Sequence, residues 1–177
     1  MPRGDRVNTS VASRIGVLGL LVACLAPVAS ARGPRPTDIP AVDTFIDAPR
    51  ALFGRTRTGV EGTLGVPASI RARTMAGGRR APTDPVDELS YPGVVIAVSR
   101  AAAWVRRVEI TEPRWTLPGG LNVGAPRSLI EQRLGEAQAT TDASVLYLYS
   151  DGYPNTVEFY LRDGRVRRIE WLYAPGD

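Results

Sequence analysis

Residues 54–65, GRTRTGVEGTLG, align with residues 124–135, GAPRSLIEQRLG, at an offset of 70 positions. The two segments share both terminal glycines and three further identities, Arg57/Arg127, Glu61/Glu131 and Leu64/Leu134. A second match places residues 105–109, VRRVE, over residues 166–170, VRRIE, at an offset of 61. Because both matches occur in the same chain order, they indicate an internal duplication. The duplication predicts two equivalent structural units.

Each copy predicts a helix followed by strands. In the second copy, Pro126 suits the first turn of a helix, and Gly135 suits a helix end with positive φ. Between them Leu129, Ile130 and Leu134 form an apolar face. Segments 145–149, 155–161 and 166–173 are rich in β-branched and aromatic residues and predict strands. The first copy predicts a weaker helix over 55–64, because its two internal glycines each cost about 1 kcal/mol relative to alanine. Its strands are expected near 87–91, 94–100 and 104–111.

The expected fold class is therefore α+β, with two tandem repeats that each pack a short helix on a three-stranded antiparallel meander. Residues 41–112 form the first repeat and residues 113–177 the second, after a proline-rich linker over 32–40. The 66–86 segment is expected to be a long loop that is either functional or disordered. Within it, Met75, Arg79 and Arg80 are candidates for entering a cleft of a partner protein.

The hairpin around Gly164 admits two strand registers. A two-residue turn sets Glu158 opposite Ile169 and so pairs a charged with an apolar residue. A three-residue loop sets Val157 opposite Ile169 instead, and we predict this register because cross-strand partners share a face of the sheet. At the offset of 61, the same register pairs Ile96 with Val108 and Ala97 with Arg107.

The N-terminus has the pattern of a secretory signal. Arg3, Arg6 and Arg14 precede an apolar run over 15–25, about half the length that a membrane-spanning helix needs. Two processing routes remain open. Cleavage after the small-residue site 29–31 predicts a soluble periplasmic protein, whereas the lipobox-like sequence Leu-Val-Ala-Cys predicts lipidation of Cys24 and an outer-membrane lipoprotein. Both routes predict export of the chain and a signal peptide within residues 1–31.

The composition excludes several classes of function. The chain has no histidine and one cysteine, and all 22 basic residues are arginine. It therefore lacks the usual general base and the commonest metal ligand, and it cannot form an intrachain disulfide. Removal of residues 1–31 leaves 19 basic and 17 acidic residues, without the basic stripe that nucleic-acid binding needs. We expect no enzymatic activity, no cofactor, no metal and no nucleic acid, with membrane contact only through an anchor at Cys24.

Side-chain alternation in the second repeat predicts which residues face away from the helix. Leu146, Leu148 and Val157 are expected beneath the helix. The opposite face is expected to carry the candidate protein-binding residues Tyr147, Tyr149, Glu158, Tyr160, Arg168 and Glu170. Tyrosines among charged residues on an open sheet are typical of protein interfaces. The alternative is that these rings pack beneath a loop or the other repeat.

The order of Gly124, Leu134-Gly135, Tyr147/Tyr149 and the GRVRRI segment 164–169 resembles small envelope domains of the SmpA/OmlA (BamE) type. A tandem pair of such units is similar in arrangement to the β-lactamase inhibitor proteins. The resemblance implies export, no cofactor, and protein binding through an exposed sheet or loops. The expected function is an exported, periplasmic protein-binding module of inhibitor or immunity type that neutralises an envelope hydrolase or secreted toxin. The alternative is an outer-membrane-anchored lipoprotein that acts as an envelope scaffold or assembly accessory.

Overall fold

The computed structural model describes residues 35–77, 83–150 and 154–175, which all belong to one compact unit, Arg32–Asp177. Its helices are α1 (Ile39–Phe53), α2 (Arg57–Leu64) and α3 (Arg127–Leu134), with a 3₁₀ turn at Pro118–Gly120. Its strands are β1 (Ser69–Ala76), β2 (Thr83–Tyr91), β3 (Val94–Ser99), β4 (Val105–Ile110), β5 (Ala139–Thr140), β6 (Ser144–Leu148), β7 (Thr156–Arg162) and β8 (Arg165–Leu172). The predictions on the signal peptide, Cys24, Arg79 and Arg80 lie outside the described residues.

All eight strands form one antiparallel sheet in the order β1-β2-β3-β4-β8-β7-β6-β5. The predicted fold class, two tandem helix-plus-three-strand repeats, is therefore wrong. Each half of the sheet has four strands, because much of the expected loop over 66–86 is strand β1 and the start of β2, and β5 adds a short outer strand to the other half.

The two halves join through strands β4 and β8. Glu109 pairs with Glu170 at the centre of this strand pair, and the two glutamates occupy the same position in the duplicated VRRVE and VRRIE segments. The duplicated strands thus pair with each other, as in an isologous dimer interface. The physical reason is that two separate meanders would each expose an unpaired edge, and β4–β8 pairing removes both edges.

The predicted strand register is correct in one half and wrong in the other. In the first half, Ile96 pairs with Val108 and Ala97 with Arg107, which confirms the prediction. In the second half, Phe159 rather than Val157 lies opposite Ile169. The turn there is the two-residue Asp163-Gly164 type, with φ values of 53° and 69°. A register shift after Tyr160 realigns apolar with apolar residues, so the short turn does not mix the two faces.

Local capping explains where the helices begin and end. The Thr56 side chain accepts a hydrogen bond from the Gly59 amide at 3.2 Å, and α2 ends at Gly65 with φ 79°. Helix α3 ends at Gly135 with φ 76°, as predicted. Helix α1 was not predicted. Its N-cap is Asp38, which accepts from the Ala41 amide at 3.3 Å. No described helix is both long and apolar enough to span a membrane.

The core lies between the helices and one face of the sheet. The Phe45 ring in α1 stacks on Phe159 and Trp171, with centroid distances of 5.3 and 5.5 Å. Trp171 Nε1 donates to the Phe45 carbonyl at 3.1 Å, and the Tyr173 hydroxyl donates to the Ile46 carbonyl at 2.8 Å. These contacts hold α1 on strand β8. The opposite side of the sheet, called the open face below, is left without a helix within the described residues.

Candidate functional site

Three glutamates form a row at the centre of the open face. Glu109 in β4, Glu170 in β8 and Glu158 in β7 are direct cross-strand neighbours. Like charges in adjacent cross-strand positions destabilise a sheet. A row of this kind therefore needs compensating cations close by.

Two arginines at equivalent positions of the duplication provide that compensation. Arg168 Nη1 lies 3.6 Å from Glu109 Oε2, and Arg107 Nη1 lies 4.0 Å from Glu170 Oε2. Each arginine thus reaches the glutamate of the other half. Arg107 also forms a 2.5 Å ion pair with Glu88. We call Arg107, Glu109, Arg168 and Glu170 the central charge quartet.

Tyr160 extends the quartet toward β7. The Arg168 guanidinium lies 3.8 Å from the centroid of the Tyr160 ring, which is a cation–π contact. The Tyr160 hydroxyl donates to Glu158 at 2.8 Å. This network fixes the side-chain conformations of Tyr160, Glu158 and Arg168 on the open face.

The environment of the row shifts two pKa values upward. Burial raises the pKa of Glu170, and repulsion from Glu109 and Glu158 adds to this effect against the two arginines. Burial and the hydrogen bond to Glu158 raise the pKa of Tyr160 to about 12. The Tyr160 phenol is therefore neutral at physiological pH and acts as a hydrogen-bond donor.

An apolar patch lies beside the charge quartet. Leu172 is 37% exposed and Leu148 is 42% exposed. Both pair with Thr156, so the three residues form one cross-strand row, and Leu172 also pairs with Arg107 of the quartet. Sequence reasoning missed this patch because it placed Leu146 and Leu148 beneath the helix.

The structure separates the six predicted binding residues into two groups. Glu158, Tyr160, Arg168 and Glu170 lie together on the open face. Tyr147 does not, because its side chain is fully buried and its hydroxyl donates to the Gly135 carbonyl at 2.8 Å. Its predicted exposure is wrong.

Two further predicted positions are also revised. Tyr149 is half-buried against the core, and its hydroxyl lies 3.4 Å from Asp47 Oδ2 in α1, on the helix side of the sheet. Met75 lies in strand β1 rather than in a loop.

A buried polar cluster lies at the far end of the first half. Arg106 forms an ion pair with Asp84 and donates to the Tyr173 carbonyl at 3.0 Å, and Ser99 Oγ donates to Asp84 Oδ1 at 2.8 Å. These groups satisfy one another's hydrogen bonds, and they link β2, β3 and β4 to Tyr173, which follows β8. Over the described part of the chain, no group of three or more Asp, Glu, His or Cys side chains is placed to hold a metal ion.

No family model and no curated protein matches this chain, whereas five solved chains match its structure. An extracellular protein containing an SCP domain from Bacillus anthracis str. Ames has a TM-score of 0.48 at 11% identity, over 72% of this chain and 46% of its own. A cysteine-rich secretory protein from Staphylococcus aureus subsp. aureus Mu50 has a TM-score of 0.42 at 12% identity, over 79% of this chain and 47% of its own. The uncharacterized protein YfeY from Escherichia coli has a TM-score of 0.35 at 16% identity, over 62% of this chain and 92% of its own.

This chain spans about half the length of the first two of these proteins. The predicted resemblance to SmpA/OmlA (BamE) domains and to the β-lactamase inhibitor arrangement is wrong. The strands form a single eight-stranded sheet instead of two separate helix-plus-meander units. None of these similarities assigns an activity to this chain.

Proposed function

We propose that this chain is an exported protein-binding module that contacts a protein partner through the open face of its sheet. The observation that carries the proposal is the adjacency of the central charge quartet to the exposed Leu148 and Leu172. Exposed apolar side chains next to ordered, partly desolvated charges are typical of protein interfaces. On this proposal the leucines supply apolar area and the quartet supplies specificity.

The proposed activity is inhibitory, of the inhibitor or immunity type, against an envelope hydrolase or a secreted toxin. The chain has no histidine, so it lacks the usual general base for catalysis near neutral pH. The charged groups of the open face bind one another, and such a preorganised surface favours recognition of another protein.

Export of the chain rests on its N-terminal sequence. Three arginines precede the apolar run over 15–25, as in secretory signals. The lipobox-like segment ending at Cys24 favours a second candidate function, an anchored envelope scaffold. The intact mass of the mature protein separates the two: a first residue at Arg32 supports the soluble inhibitor, and a diacylated Cys24 supports the scaffold.

The open face is tested with a pair of variants. Leu148→Glu/Leu172→Glu places charge in the apolar patch, and Ile39→Glu/Leu52→Glu makes the same change at exposed positions of α1 on the other side of the protein. Both variants are compared with the parent by cross-linked co-purification from the envelope fraction of the producing cells. We expect the parent and the α1 variant to retain the same partner and the open-face variant to lose it. Equal retention by both variants, or no partner for the parent, contradicts the proposal.

A further inference from the structure

The two edges of the sheet differ greatly in length. Strand β1 is eight residues long, whereas β5 at the opposite edge has two residues. Among the described strands, β1 pairs only with β2, and every residue of β1 except Met75 is exposed. A long, uncovered edge strand presents a row of backbone N–H and C=O groups that can pair with another extended chain.

The side chains of β1 give this edge a defined chemistry. Arg71 lies opposite Glu88 and Arg73 opposite Val86, so both arginines project on the open face. Arg73 is anchored by Glu88, with Nε 3.3 Å from Oε2, yet its side chain remains 58% exposed. Residues 66–76 contain no acidic side chain. The open-face side of the edge is therefore basic.

On the other side of the same edge, β1 carries only uncharged side chains, among them Ile70, Ala72 and Thr74. Ile70 pairs with the buried Leu89 and so lies on the helix side, where it is 49% exposed. Because the side chains of a strand alternate between faces, an added strand meets arginines on one face and Ile70 and Ala72 on the other. This alternation specifies both the charge and the register of a binding segment.

We propose that β1 is a second binding site, at which an extended segment of another protein adds as a ninth strand. The segment carries acidic side chains opposite Arg71 and Arg73 and apolar side chains toward Ile70. Opposite charges in facing positions stabilise such a pair of strands. A second copy of this chain fits poorly, because antiparallel pairing centred on Ala72 sets Arg71 opposite Arg73 of the other copy.

The test uses the whole mature chain and three labelled ten-residue peptides. The first alternates valine and glutamate, the second alternates valine and lysine, and the third replaces every valine of the first with proline. The proline peptide keeps the acidic charge, loses the backbone N–H of every second residue, and is held by proline at a φ that disfavours a β-strand. Fluorescence anisotropy at low salt measures binding of each peptide.

We expect the valine–glutamate peptide to bind at least about tenfold more tightly than either other peptide. Arg71→Glu/Arg73→Glu should reverse the charge preference in favour of the lysine peptide. The matched variant Arg162→Glu/Arg167→Glu makes the same charge change at exposed positions outside β1 and should bind like the parent. Equal binding of the proline peptide, or unchanged binding by the β1 variant, overturns the proposal, as does the absence of peptide binding.

The result is independent of the proposed open-face function. Leu148 and Leu172 lie on strands β6 and β8, away from β1 in the strand order, so Leu148→Glu/Leu172→Glu should keep peptide binding. Sedimentation of the parent protein at rising concentration tests whether a second copy of this chain binds at the β1 edge instead. A dimer that the valine–glutamate peptide dissociates would assign the edge to a second copy and overturn the proposal, whereas a monomer throughout, or a dimer that the peptide leaves intact, places no second copy on the edge and supports it.

Discussion

The two halves of the sheet contain the same local motif in different surroundings. In each half an arginine at the start of the helix pairs with a glutamate one turn later. The distance is 2.8 Å for Arg57 Nε to Glu61 Oε1 and 2.9 Å for Arg127 Nε to Glu131 Oε1. Each pair is partly exposed, so it contributes only a few tenths of a kcal/mol to helix stability. The duplicated residues therefore produce the same helix twice.

A second shared contact joins each helix end to the sheet. The Tyr91 hydroxyl donates to the Gly65 carbonyl at 3.2 Å, and the Tyr147 hydroxyl donates to the Gly135 carbonyl at 2.8 Å. These tyrosines lie at an offset of 56 rather than 70, because the β1–β2 hairpin is 14 residues longer than its counterpart. The contact is thus equivalent in space although the alignment does not contain it.

The difference lies in what covers each helix end. Residues 35–38, predicted as linker, pack on the end of α3: the Asp38 amide donates to the Leu134 carbonyl at 2.9 Å, and the Glu136 amide donates to the Arg35 carbonyl at 2.8 Å. A side chain at Gly135 would meet this segment, whereas a side chain at Gly65 would meet open space. The same helix end is therefore covered in one half and exposed to solvent in the other. Mutations at this helix end should consequently lower the free energy of unfolding more in the second half than in the first.

The largest expected effect is at the tyrosines. Tyr147→Ala should lower the free energy of unfolding by about 3–5 kcal/mol, because a fully buried aromatic side chain is lost. Tyr91→Ala should cost less, since Tyr91 is 8% exposed at a strand end. Tyr160→Ala on the open face serves as the control and should cost about 1 kcal/mol or less. Chemical denaturation of the three variants checks the order, and a small loss for Tyr147→Ala would contradict its placement in the core.

The glycines that end the helices give the next largest contrast. Alanine at a positive φ costs about 1–2 kcal/mol, and this cost applies to both Gly65→Ala and Gly135→Ala. At Gly135 the new Cβ would also overlap the Pro36 carbonyl, so the total should reach roughly 3 kcal/mol. Thermal and denaturant unfolding measure both variants. Equal losses would show that residues 35–38 do not pack on α3 in solution.

The β3–β4 and β7–β8 turns should respond in opposite directions. Gly164→Val should cost more than about 1 kcal/mol, because a β-branched residue resists the φ of 69°. Ala103→Gly should stabilise by up to about 1 kcal/mol, since alanine already occupies a φ of 58° in the turn of the first half. Both effects are measured as shifts of the denaturant midpoint of unfolding. The slope of the unfolding free energy against denaturant concentration should be the same for all proteins compared. A loss of stability in Ala103→Gly would mean that this turn relaxes in solution.

The smallest expected effect concerns Glu170 at the centre of the sheet and the pH dependence of the free energy of unfolding. Because folding raises the pKa of Glu170, the folded protein keeps this proton at a higher pH than the unfolded chain does. The contribution of Glu170 to stability therefore falls as the pH rises from about 4.5 through the raised pKa. Glu170→Gln should flatten the pH profile of the unfolding free energy above about pH 4.5, by about 1 kcal/mol or less.

The equivalent variant in the other half sharpens this comparison. Glu109→Gln removes one of the two carboxylates that repel Glu170. It should therefore weaken the dependence of the unfolding free energy on pH without abolishing it. Unfolding free energies at several pH values measure all three proteins. An unchanged slope in Glu170→Gln would show that another group causes the pH dependence.

Several elements were predictable because their signals are local. Helices α2 and α3 follow from the spacing of apolar residues and from the terminating glycines. The register of β3 with β4 was predicted by transfer from the second half at the offset of 61, and it holds although the β7–β8 register from which it was transferred does not. Helix α1 was not predictable in the same way, since Pro40 and Pro49 lie within Ile39–Phe53. Strand β1 was missed because arginines and small residues alternate along it, and its stability comes from pairing with β2 rather than from burial.

The residues of the candidate site also divide into those that the sequence predicted and those that it did not. Glu158, Tyr160, Arg168 and Glu170 were grouped correctly on one face, because alternation within a hairpin relates neighbouring strands. Tyr147 was assigned to the wrong face, because alternation does not state which of the two faces is buried. Glu109 and Arg107 were missed as members of the quartet, since their contacts cross between the halves.

The sequence by itself determined the duplication, helices α2 and α3, the three inner strands of each half, and the absence of histidine chemistry, because composition and short-range periodicity carry this information. The tertiary structure decided that the duplicated strands join into one sheet, that Tyr147 points inward, and that Leu148 and Leu172 point outward. These outcomes depend on contacts between residues far apart in the chain, such as Glu109 with Glu170 and Phe45 with Trp171. A period of two defines two faces of a strand, and only the packing of α1 and α3 selects the buried one.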